Sequence, residues 1–293
     1  IFIVAGLPIS FKIEGKILAQ GEERTAPADS RRRLEDLYQL ANRDIAPLLE
    51  QGDDDFSFSL VGVSRFRASA YRQRGSLAAV VRVVNFDLPD PKDLHIPQTV
   101  LELADLTKGL VLITGPAGSG KSTTLACLID RINSTRNNHV ITLEDPIEYL
   151  HSHKKSIVSQ RELDTDTRSY VAALRAALRQ SPDVILLGEM RDHETISTAM
   201  TAAETGHLVL SSLHTVGAAN TIDRVIDAFP PNQQNQVRIQ LSMILQAVVS
   251  QQLIPMSDGT LEPAFEIMKV NSAIRNMIRE STIHQIDSVI YSS

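Results

Sequence analysis

Leu110-Val-Leu-Ile-Thr114, running into Gly115-Pro-Ala-Gly-Ser-Gly-Lys121-Ser122-Thr123, is the stretch that decides the fold. An apolar run too short for a helix leads into a glycine-rich loop, and the loop opens onto a helical pattern over 121–132. Residues 115–122 match G-x-x-x-x-G-K-[ST] in full, in the strand–loop–helix setting the motif requires. Gly115, Gly118 and Gly120 let the backbone turn sharply and aim its N–H groups at phosphate oxygens. The helix N-terminus adds positive potential. Lys121 is expected to bridge β- and γ-phosphates, and the Ser122 hydroxyl to ligate Mg2+. ATP and Mg2+ are the expected ligands, with Pro116, Ala117, Ser119 and Thr123 completing the nucleotide loop.

Downstream, short apolar runs recur at 140–143, 184–187 and 208–210, separated by helical patterns at 168–180 and 193–205. Runs apolar on both faces suit central strands of a parallel sheet covered by helices. The alternation predicts a doubly wound α/β domain. A longer helix is expected over 232–252, then a small C-terminal region. Upstream, Leu34, Leu37, Tyr38, Ala41 and Ile45 recur at helical spacing. Residues 56–61, 63–72 and 77–84 alternate as half-buried strands. Phe66, Ala68, Ala70, Leu77, Ala79, Val81 and Val83 should face a core, and Arg67 and Arg82 the other side. Three prolines and several charges in 87–97 read as a stiff, solvated linker. The expected domains are therefore 1–88, a linker at 89–98, and 99–293.

The 293 residues are 43% apolar, enough for a substantial core. A net charge of −6 argues against a general nucleic-acid binder. Arg31-Arg-Arg33 reads as a solvated helix start. A single cysteine, Cys127, excludes a disulfide framework and a four-cysteine zinc site, and suits a reducing compartment. No apolar run approaches the ~18 residues that span a bilayer, and no secretory signal is visible.

Acids stand at the ends of predicted strands, where open α/β sheets bind ligands. Glu144 and Asp145 end one strand, in Leu-Glu-Asp-Pro-Ile-Glu148; Glu189 ends another, in Leu-Leu-Gly-Glu-Met-Arg-Asp192. Phosphoryl transfer to water needs a metal on the β/γ oxygens and a carboxylate to orient the water. Asp145, before proline, is equally plain turn chemistry, and Asp192 reads as a helix cap. His207 and His214 bracket the strand at 208–213 and face opposite sides, so one metal site does not unite them. Either could sense a γ-phosphate or be a satisfied core residue. Arg168, Arg175 and Arg179 share a helical face and read as a solvated or interface stripe. From the residues alone, Arg67 and Arg82 are surface arginines.

Together the motifs resemble the type IV pilus retraction ATPase family, the PilT family, within the secretion ATPases. Ala-Gly-Leu-Pro at 5–8 is similar to the family's first domain, and Thr142-Leu-Glu-Asp-Pro-Ile-Glu148 to its aspartate box. Gly188-Glu-Met-Arg-Asp192 resembles its Walker B stretch, and Ala203 to Thr215 its histidine box. The resemblance implies a PAS-like first domain, a RecA-like second one, and a homo-hexamer with ATP at subunit interfaces. It implies Glu144 as the general base or water-orienting carboxylate, Glu189 as the Walker B acid with Ser122 on the metal, and His207 and His214 linked to the γ-phosphate. Arg67 and Arg82 would reach the nucleotide from the first domain. It further implies a cytoplasmic protein, peripheral at the inner face of the membrane through an inner-membrane pilus platform protein. Ala273-Ile-Arg-Asn-Met-Ile-Arg-Glu280 resembles the retraction branch's C-terminal motif, with Met277 where leucine is usual. A related ATPase driving protein or DNA export is the alternative. Opening without methionine and stopping at Ser293, the chain is expected to be truncated at both ends.

Overall fold

The computed structural model describes residues 1–291 except 14, 61, 85–87 and 258. Val61 of an expected strand and Asp87 of the expected linker lie outside the described residues, as do Ser292 and Ser293. The chain divides into two compact units, Ile1–Phe86 and Asp87–Ser293.

The first unit holds β1 (Phe2–Ile3), β2 (Ser10–Ile13), β3 (Lys16–Ala19), α1 (Pro27–Leu40), α2 (Ala46–Gln51), β4 (Asp53–Leu60), β5 (Ser64–Gln73) and β6 (Ser76–Val84). The strands form one antiparallel sheet in the order β3-β2-β1-β6-β5-β4. Leu34 and Tyr38, one turn apart on α1, bury themselves with Phe56, Ala68, Ala79 and Val81. Arg31, Arg32 and Arg33 are exposed on the same helix, as a solvated face requires. Val83 departs from expectation. It keeps the inward parity but is 54% exposed, because it sits one residue from the end of β6, where the core cover runs out. Arg67 and Arg82 are Cα partners across β5 and β6, on the outer face.

The second unit holds α3 (Gln98–Leu101), β7 (Gly109–Thr114), α4 (Lys121–Thr135), β8 (His139–Glu144), β9 (Ile157–Glu162), α5 (Tyr170–Ala177), β10 (Val184–Leu187), α6 (His193–Glu204), β11 (Leu208–Leu213), α7 (Ala218–Asp227), α8 (Pro231–Ile244), β12 (Leu245–Pro255), β13 (Leu261–Lys269), α9 (Ser272–Arg279) and α10 (Ile286–Tyr291). The sheet order is β13-β12-β7-β11-β10-β8-β9, parallel throughout except for the antiparallel edge strand β13. Alternation divides the strand residues between two cores. Leu110 and Leu112 face α6, α7 and α8, while Val111 and Ile113 face α4. On α4, Leu125, Leu128, Ile129 and Ile132 form the matching apolar stripe at helical spacing. Each such side chain stabilises the unit by roughly 1.5–3 kcal/mol when fully buried.

Three sequence expectations are corrected here. The helix expected over 232–252 ends at Ile244, and its second half is the strand β12. Residues 245–252 are a strand because β12 pairs on both sides, with β7 and β13. Arg168 lies outside α5, which Ser169 caps through its side chain, so the expected arginine stripe does not form on one helix. Residues 88–97 are not a solvated tether. Leu88, Leu94 and Ile96 pack into the core on the α4 face.

Candidate active site

The carboxyl ends of β7, β8, β10 and β11 converge on one cavity of about 270 Å3. Its lining includes Gly118, Lys121 and Ser122 from the glycine loop, Glu144 at the end of β8, Glu148 beyond it, Glu189 beyond β10, and His214 beyond β11. Parallel strands in register place these four loops at one sheet edge, where the rule for open α/β sheets puts ligands.

The loop is built around its glycines. Gly115 has φ +142°, and a Cβ there would stand 2.0 Å from the Gln251 carbonyl oxygen. Gly120 has φ +89° and ends the loop as α4 begins. Lys121 folds back over the loop, its Nζ donating to the carbonyls of Gly115 at 2.9 Å and Pro116 at 2.8 Å. Burial lowers the pKa of this ammonium, while Glu189 and Glu148 act to raise it. Ser119 is buried, and its Oγ has no hydrogen-bond partner among the described residues. Such an orphaned donor in a side-chain-free cradle fits an acceptor-rich ligand such as phosphate.

Glu144 and Glu189 are held in opposite regimes. Burial pushes the Glu144 carboxyl up to about 7. Hydrogen bonds from Thr142 Oγ1 at 2.5 Å and Gln160 Nε2 at 3.1 Å only partly offset that, and the Glu148 charge adds to it. Arg191, bonded to Glu189 Oε1, holds the Glu189 carboxyl below its ordinary range against a smaller effect of burial, and His214 adds to the lowering. Two carboxylates of one cavity with pKa values pushed apart suit a division into base and charged ligand. Among the described residues no group of three His, Cys, Asp or Glu could hold a metal by itself. Ser122 and Glu189 thus fit Mg2+ only as a partial set, the usual case where phosphate oxygens and waters complete the shell.

His214 stands at the cavity, its Nε2 3.3 Å from Glu189 Oε2. His207 does not. It precedes β11 at the opposite edge of the sheet, beside the start of β7, and its Nδ1 contacts the Ala202 carbonyl at 2.9 Å. A six-residue strand separates the two histidines, about 20 Å of chain, so His207 is no part of this chain's cavity. Thr123 bonds Tyr149 at 3.0 Å and lines a second cavity of about 410 Å3, which also meets the loop at Gly118 and Gly120. Asp192 caps α6 by accepting from Thr195 N. Arg67 and Arg82 belong to the other unit.

Sequence reasoning missed Thr142, Gln160, Arg191 and Gln251. Thr142 and Arg191 each lie two residues from a carboxylate already singled out, a signal that was available. Gln160 and Gln251 come from distant strands, and nothing local marks them.

A model of the family described as type II/IV secretion system protein matches residues 79–288. The chain is 44% identical to the type IV pilus retractation ATPase PilT of Pseudomonas aeruginosa, over 98% of this chain and 83% of that protein. This chain belongs to the PilT family of type II/IV secretion system proteins. It is 51% identical to a twitching motility protein of Neisseria gonorrhoeae, over 80% of this chain but 63% of that longer relative. A crystal structure of the pilus retraction motor PilT with bound ADP superposes with a TM-score of 0.93 at 49% identity, covering 100% of this chain and 85% of that one. The ATPase DotB of Legionella pneumophila follows at TM-score 0.84 and 28% identity, over 98% of this chain and 82% of that one. The fold class is therefore the expected one, a RecA-like α/β core preceded by a smaller PAS-like α+β unit. Membership of this ATPase family carries ATP hydrolysis with it. Among the described residues no helix is long and apolar enough to cross a membrane.

Proposed function

We propose that this chain is a Mg2+-dependent ATPase subunit of a homo-hexameric motor that drives type IV pilus retraction, and with it twitching motility. The observation that carries the reading is the pairing of Glu144, poised near 7, with a charged Glu189 in the cavity that Lys121 enters. A base acts best with a pKa near the working pH, and Glu144 meets that condition. Residues 115–123 cradle the phosphates, Lys121 exchanging its loop carbonyls for β- and γ-phosphate oxygens. Ser122 and Glu189 would hold Mg2+, which would supply charge neutralisation at the transferring group. Glu144 orients the attacking water and takes its proton. His214 links the far end of the γ-phosphate to Glu189. The second cavity, with Leu94, Ile96, Leu253 and Leu261 in its lining, has the apolar surface a base needs.

Arg67 and Arg82 are proposed as the contribution of a neighbouring subunit's PAS-like domain. Like charges directly opposite across strands are destabilising, and an anion between them removes that cost. The domains proposed are 1–88 and 99–293, joined by 89–98, of which Leu94 and Ile96 pack on the second domain, acting at the cytoplasmic face through a membrane platform protein and without direct nucleic acid.

The test is ATP hydrolysis by the purified chain with and without Mg2+, alongside pilus number and surface motility in a strain lacking the gene. No hydrolysis removes the enzyme reading; unchanged pili removes the retraction reading. The similarity to DotB and the breadth of the family keep one second reading, an export ATPase of the same architecture. In that case the strain loses a secreted cargo while its pili retract normally.

A further inference from the structure

The glycine loop rests on one residue, through its backbone carbonyl and its side chain, from the strand that sequence periodicity assigned to a helix. Gln251 follows Ser250, whose Cα partner on β7 is Thr114, so it lies where β7 gives way to the loop. It is 4% exposed. Its carbonyl oxygen occupies the space beside Gly115, 2.0 Å from where a Cβ would stand, and its Nε2 lies 2.8 Å from the corresponding point on Gly120. Its Oε1 accepts from Thr124 Oγ1 at 2.7 Å, and Thr124 is wholly buried in the first turn of α4. One residue therefore touches the first glycine of the loop, the last glycine, and the helix the loop opens.

A loop of this kind has a mechanical weakness. Both terminal glycines hold left-handed backbone angles that other residues avoid, and neither carries a side chain to pack. Fixed phosphate-directed N–H groups need support from outside the loop, because binding geometry is set by residues whose own rotamers are locked by packing and hydrogen bonds. Gln251 is such a residue. Thr124 fixes its carboxamide, and pairing with Phe265 of β13 fixes its backbone.

We propose that Gln251 is the positioning residue of the glycine loop, setting the height at which the loop N–H groups and Lys121 Nζ meet a nucleotide's phosphates. The proposal rests on the ATPase reading above. Phosphates are held in the ground state and the transition state alike, so a loosened loop raises KM far more than it lowers kcat.

The experiment compares full-chain wild type with Gln251→Met, Thr124→Val and the double variant. Methionine keeps the volume beneath Gly120 and removes the acceptor; valine removes the donor from the other side. Kd for Mg2+-ADP, KM and kcat for ATP, and the thermal midpoint are measured for each. The expected result is an increase in Kd and KM of about tenfold or more in both single variants, with kcat within about threefold and the midpoint within a few degrees. The double variant should be no worse than the weaker single one, because both lose the same contact. Wild-type Kd in a folded Gln251→Met protein overturns the proposal. If that variant fails to fold, Thr124→Val decides alone: wild-type Kd there overturns it, and a raised Kd with an unchanged kcat supports it. Wild-type protein that binds no nucleotide overturns the ATPase reading and this one together, whereas equal binding by wild type and variants overturns only this one.

Discussion

His214 Nε2 lies 3.3 Å from Glu189 Oε2, joining the loops that follow β11 and β10. Neighbouring parallel strands bring the two together across 25 residues of sequence. The contact leaves the imidazole and the carboxylate acting on one point of the cavity. Glu189→Gln is expected to bind ATP within about threefold of wild type and to turn over about 10²–10⁴-fold more slowly, since it keeps shape and loses charge. His214→Asn should follow the same pattern with a smaller loss. Nucleotide affinity and single-turnover rate measured together check this; lost affinity with a normal rate in the bound fraction contradicts it.

Lys121→Ala should weaken ATP binding by about 10–100-fold, from the loss of a charge-assisted contact of roughly 1.5–3 kcal/mol, and should abolish hydrolysis. Isothermal titration and steady-state turnover test it, and unchanged turnover would remove Lys121 from the chemistry.

Glu144 ties rate and stability to pH. With a carboxyl raised to about 7 from the ordinary 4.5, kcat/KM should rise with pH through about 7, and Glu144→Gln should lose that limb along with most of the rate. Stability runs the other way. A folded pKa above the unfolded one means that the folded state holds the extra proton, so the contribution is fully present below 4.5 and is lost as pH rises through 7. Glu144→Gln should therefore be more stable than wild type at pH 8, by on the order of 2 kcal/mol, and nearly equal to it at pH 5. Thermal melts at the two pH values decide; equal differences at both would mean that Glu144 titrates normally.

Arg275 and Asn276 should separate. Arg275 donates to the carbonyls of Ser242 at 2.7 Å and Met243 at 3.0 Å, closing the end of α8, whereas Asn276 is exposed. Arg275→Ala should lower stability by about 1–3 kcal/mol, so any loss of retraction it causes is mixed with loss of fold. Asn276→Ala should leave the melt and the ATPase rate within error and still impair retraction, if this face couples to a partner. Retraction scored beside ATPase rate in the same variant is the decisive comparison.

Subunit sharing can be tested by mixing Lys121→Ala with Arg82→Ala protein under verified subunit exchange. Each should be nearly inactive alone, a true arginine finger being worth about 10³–10⁵ in rate. Mixed rings contain interfaces with both groups intact, so activity should return in part. No recovery means that Arg82 acts within its own subunit or has no part in hydrolysis.

Local order was legible in the residues wherever one local constraint was strong enough to act alone. The glycine loop, the four central strands and the acids at their ends follow from a backbone that must turn without Cβ atoms and from runs apolar on both faces. The same holds for Asp192, whose capping role depends only on the residues next to it. Tertiary structure alone decided what depends on partners distant in the chain. Residues 245–255 are a strand because β7 and β13 complete their hydrogen bonds, and with that strand comes Gln251 beneath the loop. His207 and His214 look equivalent in sequence, six strand residues apart, yet a parallel sheet binds ligands at one edge only, and the direction of β11 gives that edge to His214. The raised carboxyl of Glu144 likewise needs burial, and burial is a property of the packed molecule rather than of any local run of residues.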